Sequence, residues 1–219
     1  MRFNGRQVFG TAAVGVFTCL IVSAATAQPK WQAFPAEQSR LVLDAAPLSQ
    51  RPTRASELTG TSGRIRTFLY TWGDPGGQAA YADVIIHQTP DGSPYSGPPD
   101  YVALIPTSWP SLRNGAGVFG KDERTASAAL GELRYRALTI GSRHCLAFGG
   151  AFGAVLDNRA QIAGYKPTGG NWIYGIYCPA AGQRLTPDGA GYVVEGLGWT
   201  DTKIAAAGRA KPAVITKPE

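Results

Sequence analysis

Two stretches, SRHCLAFGGAFG at 142–153 and NWIYGIYCPAAG at 171–182, each place one cysteine in a run of aromatic, branched and glycine residues. This pairing constrains the fold more than any other feature of the chain. Aromatic and β-branched side chains suit a pleated, half-buried surface. Residues 133–140 (LRYRALTI) therefore read as a strand, Gly141-Ser142 as a tight turn, 143–148 as a second strand and 171–178 as a third. Cysteines carried on strands can bring their Cβ atoms within bonding range. The expectation is a structural Cys145–Cys178 disulfide, worth about 3–4 kcal/mol through the loop it closes in the unfolded chain.

Three other uses of these cysteines compete with the bridge. His144-Cys145 resembles a nucleophile and base pair, but successive strand residues point to opposite faces. His87, His144, Cys145 and Cys178 could be gathered on zinc, yet they lack the short paired spacing of metal sites. The third is an intermolecular bridge. The structural bridge is preferred, with no metal and no cofactor expected.

A lasting disulfide requires an oxidising compartment, and the amino terminus supplies a route to one. Arg2 and Arg6 form a short positive region, Val8–Val22 is strongly apolar, and Ala25-Thr26-Ala27 offers small residues before Gln28. That is the three-part plan of a secretory signal, with cleavage expected after Ala27. The apolar core is shorter than the roughly 20 residues that span a bilayer, which argues against an uncleaved anchor. Lipid attachment at Cys19 is a weaker alternative, because Leu20-Ile21-Val22 continue the apolar run past it. No later stretch is apolar and long enough to cross a membrane as a helix. Cleavage would remove Cys19, leaving Cys145 and Cys178 as the only pairing within the chain.

Removing residues 1–27 takes out Arg2 and Arg6 and lowers the formal net charge from +6 to +4. The remaining basic residues are spread along the chain, which is not a nucleic-acid footprint. The 28 glycines and 16 prolines cluster between aromatic and branched runs, the punctuation of strands and turns. Residues 64–72 and 80–88 read as a hairpin around GDPGGQ, and 101–105 (YVALI) as another strand. Residues 36–46 could hold a short helix inside a partly irregular segment, 28–63. Residues 121–131 read as a short helix or a solvated connector. Thr186-Pro187-Asp188 has the signs of a helix start, with Thr as cap, Pro in the first turn and an acid near the positive end of the dipole. That helix is expected to run to about Leu197 and stop at Gly198. From 203 to 219 the chain reads as a disordered basic tail. The fold expected for 64–202 is a single α+β domain, a largely antiparallel sheet of about 5–7 strands with a carboxyl-terminal helix. An all-β sandwich or barrel is the nearest rival.

Chemistry is sparse. No G-x-S-x-G elbow, H-E-x-x-H, phosphate-binding loop or dinucleotide fingerprint occurs. Asp83 and His87 fall on one face of a strand, but residues four apart in a strand are about 13 Å apart, too far to hydrogen-bond. Glu132 and Glu195 could meet in space as a carboxylate pair, though nothing in their spacing argues for it. Trp72, Trp109, Trp172 and Trp199 could form a sugar platform, but such residues more often fill a core. The loop-like stretch 89–100 carries Tyr95 among prolines and glycines. Tyr95 and Trp109 are the candidate surface-binding residues. The cysteine pattern followed by a Thr-Pro-begun helix, over 130–198, resembles that of small exported bacterial proteins, a resemblance that implies no activity. The function expected is an exported envelope protein, a non-catalytic binding or structural module whose partner is an envelope protein or a glycan. A periplasmic hydrolase using carboxylates or His87 and a small-ligand carrier are the alternatives.

Overall fold

Strands dominate because aromatic and branched residues recur with a period of two between glycine and proline breaks. The computed structural model describes residues 30–59, 65–88, 100–152, 170–200 and 215–216. The signal-like segment 1–27, Ala27 and Tyr95 lie outside these residues. The strands are β1 (Lys30–Phe34), β2 (Leu41–Leu43), β3 (Arg54–Thr59), β4 (Arg66–Trp72), β5 (Tyr81–Gln88), β6 (Gly117–Phe119), β7 (Arg124–Ala128), β8 (Gly131–Ile140), β9 (Arg143–Phe152), β10 (Asn171–Cys178), β11 (Arg184–Leu185), β12 (Leu197–Trp199) and β13 (Ile215–Thr216). Two α-helices, α1 (Tyr101–Ser108) and α2 (Pro187–Glu195), accompany them.

The main sheet has nine strands in the order β1-β3-β4-β5-β10-β9-β8-β6, with β7 also pairing on β8. Every pairing in it is antiparallel. The expected α+β architecture is present, with a larger sheet than the sequence suggested. Both faces of the central strands are covered. One face carries Phe68, Tyr70, Trp72, Val84, Ile86, Phe148 and Ile173, and α2 covers it with Val193 and Val194. The opposite face carries Ile85, Ala147, Trp172, Tyr174 and Ile176, beneath Tyr101 and Ile105 of α1. β10 is therefore buried at nearly every position rather than at alternate ones, as a strand covered on both sides must be.

Glycines let these layers close. A Cβ at Gly149 would lie 2.5 Å from the Tyr101 Cβ, so the glycine is where α1 seats on β9. A Cβ at Gly175 would lie 2.8 Å from the Phe148 ring on the other face. The glycines that interrupt the two cysteine-bearing runs are thus contact points for neighbouring elements.

Five expectations are corrected. Residues 101–105 form the first turns of α1, not a strand. Asp100 caps the helix by accepting a hydrogen bond from the Val102 amide at 3.0 Å, and an apolar run of five residues has no period of its own to decide between helix and strand. Within 121–131, residues 124–128 are β7, paired with β8; a polar edge strand lacks the apolar alternation that reveals an inner one. Residues 28–63 are more regular than expected. β1 and β3 belong to the main sheet, while β2 pairs with β12 over the core, burying Leu41 and Leu43 completely. The carboxyl-terminal helix begins as expected, with the Thr186 hydroxyl accepting from the Gly189 amide at 3.0 Å. It ends at Glu195, however, and Leu197–Trp199 is strand β12. Of the tail expected to be disordered, Ile215 and Thr216 pair with β11; its other residues lie outside the described ones. Among the described residues no helix is long and apolar enough to cross a membrane.

Candidate functional site

The register of β9 and β10 pairs Tyr177 with Leu146, so the next position sets Cys178 opposite Cys145. The two are disulfide-bonded, with Cα atoms 4.2 Å apart. The bridge consumes both thiols, leaving neither a nucleophile beside His144 nor a thiolate pair for zinc. Arg143, two residues before Cys145, braces this end of the sheet. Its guanidinium donates to the carbonyls of Gly77, Ala79 and Pro179 at 2.9, 2.7 and 2.6 Å and lies over the Tyr81 ring.

Beneath α1, four polar side chains form one hydrogen-bonded chain. Thr67 Oγ1 is 2.8 Å from His87 Nδ1, His87 Nε2 is 3.1 Å from the Tyr174 hydroxyl, and that hydroxyl is 2.9 Å from Ser108 Oγ. The sheet register creates it, because Thr67, His87 and Trp172 occupy one cross-strand row and Tyr174 the next position on the same face. The imidazole stacks on Trp172 and Tyr174, with ring centroids 4.6 and 5.5 Å away. Burial pushes the His87 pKa down to about 4. The ring is therefore neutral at neutral pH, with one nitrogen donating and the other accepting, and the chain runs in a single direction.

This arrangement resembles a nucleophile relay from Ser108 through Tyr174 to His87, but its physics opposes that use. The group on the far side of the imidazole is the Thr67 hydroxyl, where a catalytic base would have a carboxylate to stabilise its charged form. A ring with a pKa near 4 is a weak base. Ser108 is the last residue of α1, at the negative end of the helix dipole, where a developing alkoxide is disfavoured. What the chain can do is pin the end of α1 to the sheet.

The carboxylates lie elsewhere. Asp83 is buried and accepts from the Trp109 indole N–H at 3.1 Å. Among the described residues its Oδ1 has no hydrogen-bond partner. Burial raises its pKa, and Thr71, Trp109 and Arg54 oppose that shift. Trp109 is therefore a buried anchor, 8% exposed, and not the surface-binding residue expected from sequence. Trp72 and Trp172 are also buried, and Trp199 packs on Phe152, so these rings do not make an exposed sugar platform. Glu132 and Glu195 stand apart on β8 and α2. Glu123, which sequence reasoning passed over, is held by Arg136 at 2.6 Å and by the Tyr101 hydroxyl at 2.9 Å, and the Arg136 guanidinium keeps its carboxyl below the usual range.

On the opposite face, beyond the start of α2, lies an open cavity of about 610 Å³. Its floor is Tyr135, Ala137 and Leu146 of the sheet, with Leu185, Pro187 and Ala190 along one wall. Arg124, Arg184 and His144 stand at its border, together with Asp122. No motif announces it, because its residues come from five separate elements. The single sequence signal was the start of α2 at Thr186-Pro187.

No family model, curated protein or solved structure matches this chain.

Proposed function

We propose that the chain is an exported, non-catalytic binding module of the cell envelope, stabilised by its disulfide. The observation that carries this reading is the Cys145–Cys178 bridge, which takes up both cysteines that follow the signal-like segment. Such pairs persist outside the reducing cytosol, and the sequence before Gln28 has the pattern that would take the chain there. The packing of His87 between two rings, with a hydroxyl in the place of a carboxylate orienter, supports a structural role for the residue with which a hydrolase would have to begin. A second reading, a carrier of small ligands, is favoured by the cavity beside α2, whose volume falls in the range of small-molecule sites. Envelope proteins and glycans remain the partner classes to examine.

The test is expression of the full chain in a bacterium, followed by fractionation and intact-mass analysis under non-reducing conditions with an alkylating agent. The expected product lies in the envelope fraction, begins at Gln28 and takes up no alkyl group. A full-length cytosolic product with Cys145 and Cys178 both alkylated would overturn the proposal.

A further inference from the structure

The cavity beside α2 holds two kinds of cation. Arg136, part of its lining, is engaged by Glu123 and Tyr101, as Arg66 is by Glu57 at 2.8 Å and Arg143 by three carbonyls. Arg124 and Arg184 stand at the cavity with no hydrogen bond or ion pair to either guanidinium among the described residues. His144 joins them as an exposed third basic side chain. Asp122 is the one acidic residue in the lining. Below this border the accessible apolar surface is Ala137 on the sheet with Leu185 and Pro187 along the wall, underlain by the buried Leu146.

The geometry arises from the fold. Arg124 is opposite Tyr135 in the β7–β8 register, and His144 is opposite Thr139 in the β8–β9 register, so both reach the same face of the sheet. β11 passes above that face and brings Arg184 to it. At the start of α2 Pro187 has no amide proton, and two of the following amides are taken, Gly189 by the Thr186 hydroxyl and Ala190 by the Thr186 carbonyl. Anion preference here therefore belongs to the guanidiniums. A planar guanidinium donates two parallel hydrogen bonds to a carboxylate or phosphate, and an apolar floor gains from contact with hydrocarbon.

We propose that this cavity binds a small amphiphilic anion, with its carboxylate or phosphate head between Arg124 and Arg184 and its apolar body on Ala137, Leu185 and Pro187. The assignment rests on the second reading, a carrier of small ligands, and names the ligand class for it. A neutral sugar would leave both guanidinium charges unneutralised, and a free inorganic anion would leave the apolar floor uncovered. The head and the tail of the ligand are thus both required.

The experiment is isothermal titration calorimetry of the full chain at low salt, below the micelle concentration of each probe. The probes are decanoate, decyl phosphate, neutral decanol and inorganic phosphate. The proteins are the wild type, the double variant Arg124→Gln/Arg184→Gln, and Arg66→Gln as a control distant from the cavity. The expected result is saturable binding of decanoate or decyl phosphate, weakened at least tenfold in the double variant and unchanged in Arg66→Gln. Whichever of the two binds more tightly identifies the head group. Equal binding of decanol would overturn the anion assignment while leaving a binding module in place. Binding of inorganic phosphate as tight as decyl phosphate would overturn the role of the apolar floor. Absence of binding by all four probes would overturn the ligand class, whereas the exported-module reading stands or falls on the processing and thiol measurement. Circular dichroism and the urea midpoint of the double variant distinguish lost binding from lost folding.

Discussion

His87 makes the folded protein acid-sensitive by an amount that can be worked out. Its pKa is about 4 in the fold because the ring is buried between Trp172 and Tyr174, against 6.5 for the free side chain. A folded pKa below the unfolded one means that the unfolded chain takes up the proton first. The stability this group contributes is full above pH 6.5 and is lost as pH falls from there toward 4. At pH 7.5 both states are neutral and the term is close to zero. At pH 4.5 protonation favours the unfolded chain by about 2.7 kcal/mol and the folded one by about 0.2, a net loss of about 2.5 kcal/mol. With a urea slope of about 2 kcal/mol per molar, this moves the unfolding midpoint by more than about 1 M. Carboxylates also titrate in this window, so the measurement is a difference of differences between wild type and His87→Gln at the two pH values. Glutamine keeps an amide near the Tyr174 hydroxyl and has no proton to gain. The variant is expected to be less stable at pH 7.5, by about 1–2 kcal/mol for lost stacking and hydrogen bonding, and to lose about 2.5 kcal/mol less than wild type on going to pH 4.5. Equal acid losses in the two proteins would refute the claim that burial holds the ring neutral.

Three further perturbations test other parts of the packing. Asp83→Asn should stabilise the protein at pH 7.5, because the raised pKa of Asp83 marks a penalty on its ionised form that is present above its folded pKa and disappears as pH falls toward the unfolded value near 3.8; chemical denaturation at pH 7.5 reads the sign, and a destabilised variant would show that the carboxylate is needed by Trp109. Gly149→Ala places a methyl group 2.5 Å from the Tyr101 Cβ and 3.1 Å from the Ile173 carbonyl oxygen, so α1 must lift and stability should fall by about 1–3 kcal/mol, with loss of Trp109 near-ultraviolet dichroism as the local readout. Cys145→Ala/Cys178→Ala should lower the stability by about 3–4 kcal/mol through the 33-residue separation; a thermal midpoint within a degree or two of wild type would show that the bridge contributes little to a sheet already closed by its hydrogen bonds.

The parts of the fold legible in the sequence are those whose signals are local. Thr186 and Pro187 announce α2 because capping needs only neighbouring residues. β10 is legible because every residue from Trp172 to Cys178 is aromatic, branched, cysteine or glycine. The disulfide follows from two cysteines on strands of that kind. What stayed hidden depends on contacts distant in sequence. β7 is polar and is a strand only because β8 offers it an edge. The chain from Thr67 to Ser108 spans three strands and a helix, and no spacing in the sequence relates its members. The cavity is equally dispersed, with arginines from β7 and β11 above residues of β8 and β9.

The fold itself separates the basic residues of the cavity from the aromatic ones. A sheet covered on both faces must bury its side chains in both directions, and the large rings of β4, β5 and β10 are used for that purpose. Trp109 illustrates the consequence: its indole is drawn under α1 to meet Asp83, where a sheet with one open face would have left it available to a partner. One concave surface among the described residues lies where α2 and β11 leave β8 and β9 partly uncovered, and there Arg124 and Arg184 stand without a hydrogen bond or ion pair. Recognition by this fold is therefore expected to depend on charge over a small apolar floor rather than on stacking against exposed rings. Arg124 and Arg184 are accordingly the residues whose substitution should change what the protein binds without changing how it folds.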